Sequence, residues 1–158
     1  MRKIIFLIYF LCIQSQLVFA NPIMALVQDM SFGMLYQGES KYVTVPDGCA
    51  VSIPEVGIVS ITGVDTALTG TVTVLFPSYL YDSTGNNSMP LIATKAAFCQ
   101  AVNSTIVVFN NSTTIDLEVS KNKSTTSKNR IYTFGAITVP NAQAVGDYSG
   151  IITIEFLY

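Results

Sequence analysis

The sequence contains no histidine and no tryptophan, and only 11% of its 158 residues are charged. Without histidine, Ser-His and Cys-His nucleophile pairs cannot be built, and both the commonest general base and the commonest metal ligand are missing. Outside the first twenty residues no apolar run approaches membrane-spanning length, because Thr, Gly, Pro or a charge interrupts each stretch within a few residues. Asp, Glu and Lys can still do acid-base chemistry on this chain. No catalytic residue, cofactor or metal is expected.

What is present begins with an export segment. Arg2 and Lys3 form a basic start, Ile4 to Ile13 an apolar run, and Val18-Phe19-Ala20 a small-residue cleavage site, so residues 1–20 read as a signal peptide. The apolar run is half the roughly 20 residues that a membrane helix needs, which argues against an uncleaved anchor. Cys12 lies inside that run, and Ile13-Gln14-Ser15 after it is no lipoprotein site. Residues 21–158 then form one exported domain, destined for the periplasm, the cell surface or the medium. It keeps six basic and ten acidic side chains, a net charge of −4. Lys41, Lys95, Lys121, Lys123, Lys128 and Arg130 are too few and too scattered to neutralise a row of phosphates. Neither a nucleic-acid partner nor an integral membrane segment is expected after cleavage.

Cys12 leaves with the signal, so Cys49 and Cys99 remain as an even pair in an oxidising compartment. A structural disulfide is expected. The alternatives are two buried thiols or half of a metal site, and the second lacks further ligands.

Short segments rich in Val, Ile, Thr, Tyr and Phe recur between Gly, Pro, Asn, Asp and Ser, the pattern of an all-β sandwich or barrel. Strands are expected at 25–30, 41–45, 50–53, 56–62, 71–76, 105–109, 114–119, 131–133, 136–139 and 150–158. Leu91 to Val102, with its alanines and the spacing Leu91, Lys95, Cys99, suits a helix as well as a strand or loop. At the C-terminus Ile152, Ile154, Phe156 and Tyr158 share one face and Thr153 and Glu155 the other, so the former are expected in the core. At the N-terminus Ile23, Ala25 and Val27 alternate with Met24 and Leu26, and the segment is apolar on both faces. It is either an inner strand of its own domain or an extension available to a partner's sheet.

Other features read as ordinary structure. Lys121 to Arg130 is a polar hairpin tip with four cations. Asp116 and Glu118 share a strand face opposite Ile115, Leu117 and Val119, which suits solvent better than calcium or acid-base chemistry. Sequons occur at Asn86, Asn103, Asn110, Asn111 and Asn122, as expected of Asn- and Ser-rich loops. Tyr79, Tyr81 and Met89 beside Asn86-Asn87 form the best candidate for an exposed partner loop.

Two patches carry a family resemblance. Met30 to Leu35 is followed by Tyr42-Val43-Thr44-Val45-Pro46-Asp47-Gly48. Gly135-Ala136-Ile137-Thr138-Val139-Pro140 is followed by Gly146-Asp147-Tyr148-Ser149-Gly150 and a strand closing on Tyr158. Together they resemble the bacterial secreted family known as domain of unknown function 4402, from about residue 29 to the end. The two cysteines lie outside that pattern, and Leu91 to Val102 departs from it most. Gly33 and Gly48 suit positive φ, and Tyr148 suits a tyrosine corner, its hydroxyl on a loop carbonyl.

By length, export signal and terminal strand the family resembles pilus-subunit and other immunoglobulin-like antiparallel β-sandwiches of bacterial surfaces. The resemblance implies a non-enzymatic structural or adhesive surface protein of fimbrial type, associating with itself or another surface protein, with Ile23, Ala25 and Val27 as a strand-exchange segment. The alternative is a self-contained binding module whose partner site includes Tyr79 and Tyr81.

Overall fold

The computed structural model describes residues 22–44, 49, 52–62, 67–100, 106–119 and 129–158. Residues 1–20, expected to be a signal peptide, the Pro46-Asp47-Gly48 stretch, Asn103, Asn122 and Lys121 to Lys128 lie outside the described residues. The described strands are β1 (Ile23–Gln28), β2 (Ser40–Tyr42), β3 (Gly57–Thr62), β4 (Leu68–Leu75), β5 (Tyr79–Asp82), β6 (Ser88–Cys99), β7 (Ile106–Asn110), β8 (Thr114–Val119), β9 (Asn129–Thr138), β10 (Tyr148–Ser149) and β11 (Thr153–Leu157). The fold is an all-β sandwich of two sheets. The larger runs β1-β3-β9-β6-β5-β10, with β2 also on β9 and β7 also on β6, and the smaller runs β11-β4-β8. Among the described residues no helix is long and apolar enough to cross a membrane.

Strand β9 is the centre of the larger sheet, paired with β2, β3 and β6, and it is buried from Asn129 to Ile137. The two segments expected at 131–133 and 136–139 are one strand. Gly135 does not break it, because a Cβ there would come within 3.3 Å of the Ile92 carbonyl oxygen and 3.4 Å of the Thr94 methyl. Its glycine permits close approach to β6. Opposite it β6 carries a register shift between Ile92 and Lys95, with Ala93 at φ 50°.

Leu91 to Cys99 is therefore strand, not helix. Ala96, Ala97, Phe98 and Cys99 are consecutively buried, so this half of β6, which lies between β7 and β9 in the sheet, is covered on both faces. A central strand with both faces covered loses the alternation that marks a strand in sequence.

The smaller sheet keeps that alternation. Leu117 and Val119 of β8 turn inward and Thr114, Asp116 and Glu118 outward, while Val72 and Val74 of β4 are fully buried. Each fully buried Val or Ile contributes about 1.5–3 kcal/mol relative to exposure. The inner face of β11 departs from its expected burial. Ile152, Ile154 and Phe156 are only partly buried and Tyr158 is exposed, stacked on the Phe156 ring at 5.5 Å. The reason is topological, since β11 is the edge of a three-stranded sheet and no described strand lies beyond it. Gly70 of β4 allows even this packing, because a Cβ there would sit 2.6 Å from the Leu157 carbonyl oxygen.

Cys49 and Cys99 form the disulfide, Cα to Cα 5.6 Å. Arg130 departs from the polar tip it adjoins in sequence. It is buried in β9, and its Nη1 donates to the Cys49 carbonyl at 3.0 Å. Burial pushes the neighbouring Tyr132 hydroxyl up in pKa, with the Arg130 charge opposing.

Candidate functional site

Strand β1 is an edge strand. It pairs antiparallel with β3, Ile23 opposite Thr62 and Leu26 opposite Val59, and no described strand covers its other side. Its hold is strongest at Gln28. There the side-chain amide donates to the Ile53 and Val56 carbonyls at 2.6 and 2.8 Å, beside a register shift between Leu26 and Gln28. The rest of the strand presents apolar side chains to water on both faces: Ile23 is 62% and Leu26 65% exposed, and Met24, Ala25 and Val27 are exposed as well. An exposed apolar edge strand is a template for pairing with another chain unless it is blunted by charge, Pro or a bulge. Ile23 to Val27 carry neither charge nor Pro, and the one irregularity is the register shift at Val27.

Beside β1 lies an apolar cleft of about 1430 Å³. Its floor includes Phe32, Ile58, Leu91 and Ile137, and its sides Leu26 and Ile154. Two loops frame it, 29–37 and 143–151, the second interrupted by the two-residue strand β10, and they are joined where the Gln37 side-chain amide donates to the Gln143 carbonyl at 2.7 Å. Tyr148 fixes the second loop as the tyrosine-corner expectation has it, donating to the Ala144 carbonyl at 2.9 Å and accepting from Gln143 Nε2 at 2.6 Å. The first loop is held by the Ser31 amide on the Glu55 carbonyl at 2.9 Å, and Glu55 in turn forms an ion pair with Lys41 of β2. Gly33 has φ 68°, the left-handed conformation expected of it. The loops project Met34, Tyr36, Val145 and Ile151 into water. Asp29 and Asp147 are the only charged side chains lining the cleft among the described residues. A largely apolar cleft with two carboxylates at its border disfavours an anionic occupant.

Tyr79 and Tyr81 lie on a strand, β5, not on a loop. They share one face, 6.5 Å between ring centroids, and are about half exposed beside Pro77 and Ile151. They stand apart from β1. Between β5 and β6 the Asp82 carboxylate organises the hairpin. It accepts from Asn87 Nδ2 at 2.6 Å, from the Thr84 hydroxyl at 2.9 Å and from the Asn86 and Asn87 amides. The Asn87 side chain foremost, then Thr84 and the two amides, hold its pKa down at about 2 against an ordinary 3.8. A lowered carboxyl pKa stabilises the fold above the ordinary value, and that contribution is lost as pH falls through about 2. Asp82→Ala is therefore expected to melt at a lower temperature than the parent at neutral pH. The gap should close in melts run at successively lower pH down to about 2.

Asp116 and Glu118 project from β8 opposite Thr71 and Thr69, both exposed. Among the described residues no three His, Cys, Asp or Glu side chains group as a metal site. The cleft-framing residues Met34, Tyr36, Val145 and Ile151 escape sequence reasoning, since single apolar residues in loops are common and only their convergence marks a site.

No family model matches the chain, and no curated protein matches it.

Proposed function

We propose that this is an exported, non-enzymatic structural or adhesive protein of a bacterial surface, a fimbrial-type subunit that associates with further copies through β1. The observation that carries this reading is the exposure of β1, apolar on both faces and with no described strand on its outer edge. The signal-like residues 1–20, the two motif patches resembling domain of unknown function 4402, and the two-sheet architecture, here taken as immunoglobulin-like, support it. A monomer that kept these side chains in water would carry an aggregation hazard without a use.

The test is the molar mass of disulfide-intact residues 21–158 by light scattering, beside a chain starting at Met30. Large species that disappear with the deletion are expected. A stable monomer at high concentration sinks the reading and favours a self-contained binding module, for which the paired Tyr79 and Tyr81 rings beside exposed Ile151 supply the contact surface.

A further inference from the structure

We infer that β1 of one copy pairs antiparallel with β1 of a second about a two-fold axis at Ala25, joining the two larger sheets edge to edge. The inference rests on the reading of β1 as a contact between copies and adds the surface it meets and the register. The carbonyls of Ile23 and Ala25 accept from the Thr62 and Ser60 hydroxyls of β3 at 3.3 and 3.4 Å, so both are turned toward β3. Backbone groups alternate sides along an antiparallel strand. The amides and carbonyls of Met24 and Leu26 therefore face the edge where no described strand lies. These are the groups that a further strand would bond.

A two-fold contact needs a surface that is its own complement, and this segment has one. Turned end for end about Ala25, Ile23-Met24-Ala25-Leu26-Val27 sets β-branched Ile23 opposite Val27, unbranched Met24 opposite Leu26, and the small Ala25 opposite itself. Met24 of each copy then exchanges both backbone hydrogen bonds with Leu26 of the other, and the Ala25 pair between them is the close, non-bonded kind. The neighbouring registers fail at particular residues. Sliding one way sets Pro22, which has no N–H, opposite Leu26. Sliding the other way sets Gln28 opposite Met24, beyond the register shift that interrupts the edge. Charge favours the antiparallel sense. No charged side chain lies from Ile23 to Gln28, and Asp29 follows. Under the export reading a chain starting at residue 21 carries an α-ammonium at the head of the strand, and the antiparallel pair brings it to the Asp29 end of the other copy. A parallel pair would set ammonium beside ammonium. A two-fold pair is closed, so species larger than a dimer need a second contact surface as well.

Thiol trapping in residues 21–158 tests this, the native cysteines being already bonded to each other. After mild oxidation Ala25→Cys is expected to link to itself, since the two Cα atoms face each other at about 4.5 Å across the axis. A tagged Met24→Cys protein is expected to link to Leu26→Cys. Ile23→Cys is expected not to link to itself, because Val27 stands opposite it, and Asp116→Cys on an edge of the other sheet is the control. Non-reducing gels and mass spectrometry of the linked peptides read the result. Met24→Pro removes an N–H that serves only the open edge, so it is expected to lose the pair in light scattering and keep the parent's melting temperature at low concentration, whereas Ala25→Pro lowers that temperature. If assembly requires residues 21–29 but Ala25→Cys does not link and Met24→Pro leaves the molar mass unchanged, β1 meets another surface; the two-fold assignment is overturned and the reading of β1 as a contact stands. Self-linkage of Ile23→Cys as fast as that of Ala25→Cys means no fixed register and also overturns the assignment. A monomer at high concentration with no linkage overturns both.

Discussion

Cys49→Ala/Cys99→Ala is expected to lose about 4 kcal/mol of unfolding free energy, as the loop-entropy relation gives for a bridge across this separation. The two cysteines are 50 positions apart, and their Cα atoms lie 5.6 Å apart. Opening the bridge frees a long loop in the unfolded ensemble and leaves the folded contacts largely in place, since Cys99 is fully buried and alanine fits within its volume. A second loss accompanies the first. Arg130 is buried against the Cys49 carbonyl, and a looser segment there exposes the buried guanidinium to an incomplete set of acceptors. Urea titration at neutral pH checks the expectation. The parent in reducing agent should unfold at the midpoint of the double variant, and reducing agent should leave the double variant unmoved. A loss below about 1 kcal/mol would mean that the bridge closes a loop already ordered by the β3-β9-β6 pairing.

Much of this architecture is legible in the sequence, and the parts that are not share a cause. Strand β8 is read to its ends because Ile115, Leu117 and Val119 alternate with polar residues on a sheet wet on one side. Strand β6 is ambiguous because its buried half has no wet side, and Ala96-Ala97 suits a helix equally well. Strand β5 escapes because only four residues pair, set between Pro77 and the Gly85 turn. Arg130 shows the converse, a cation that sequence assigns to solvent and tertiary structure buries beside the disulfide. At the candidate site the apolar character of β1 is plain in sequence, but its choice between inner strand and extension is not. That choice depends on whether another strand lies opposite, a property of sheet order that local pattern does not encode. The same holds for β11: its alternation is visible, and its half-burial follows from standing at the edge of three strands.

That difference between centre and edge has a large measurable consequence. Ile131→Ala is expected to cost about 2–5 kcal/mol, the range for emptying a fully enclosed aliphatic site. Ile131 is completely buried in β9, with Val59 of β3 and Phe98 of β6 as its cross-strand partners. Neither neighbour can move in to close the cavity without disturbing its own strand pairing. The identical truncation in β11, Ile154→Ala, removes a side chain still partly in water, so in the monomer it is expected to cost about half as much or less. Urea unfolding at low protein concentration measures both.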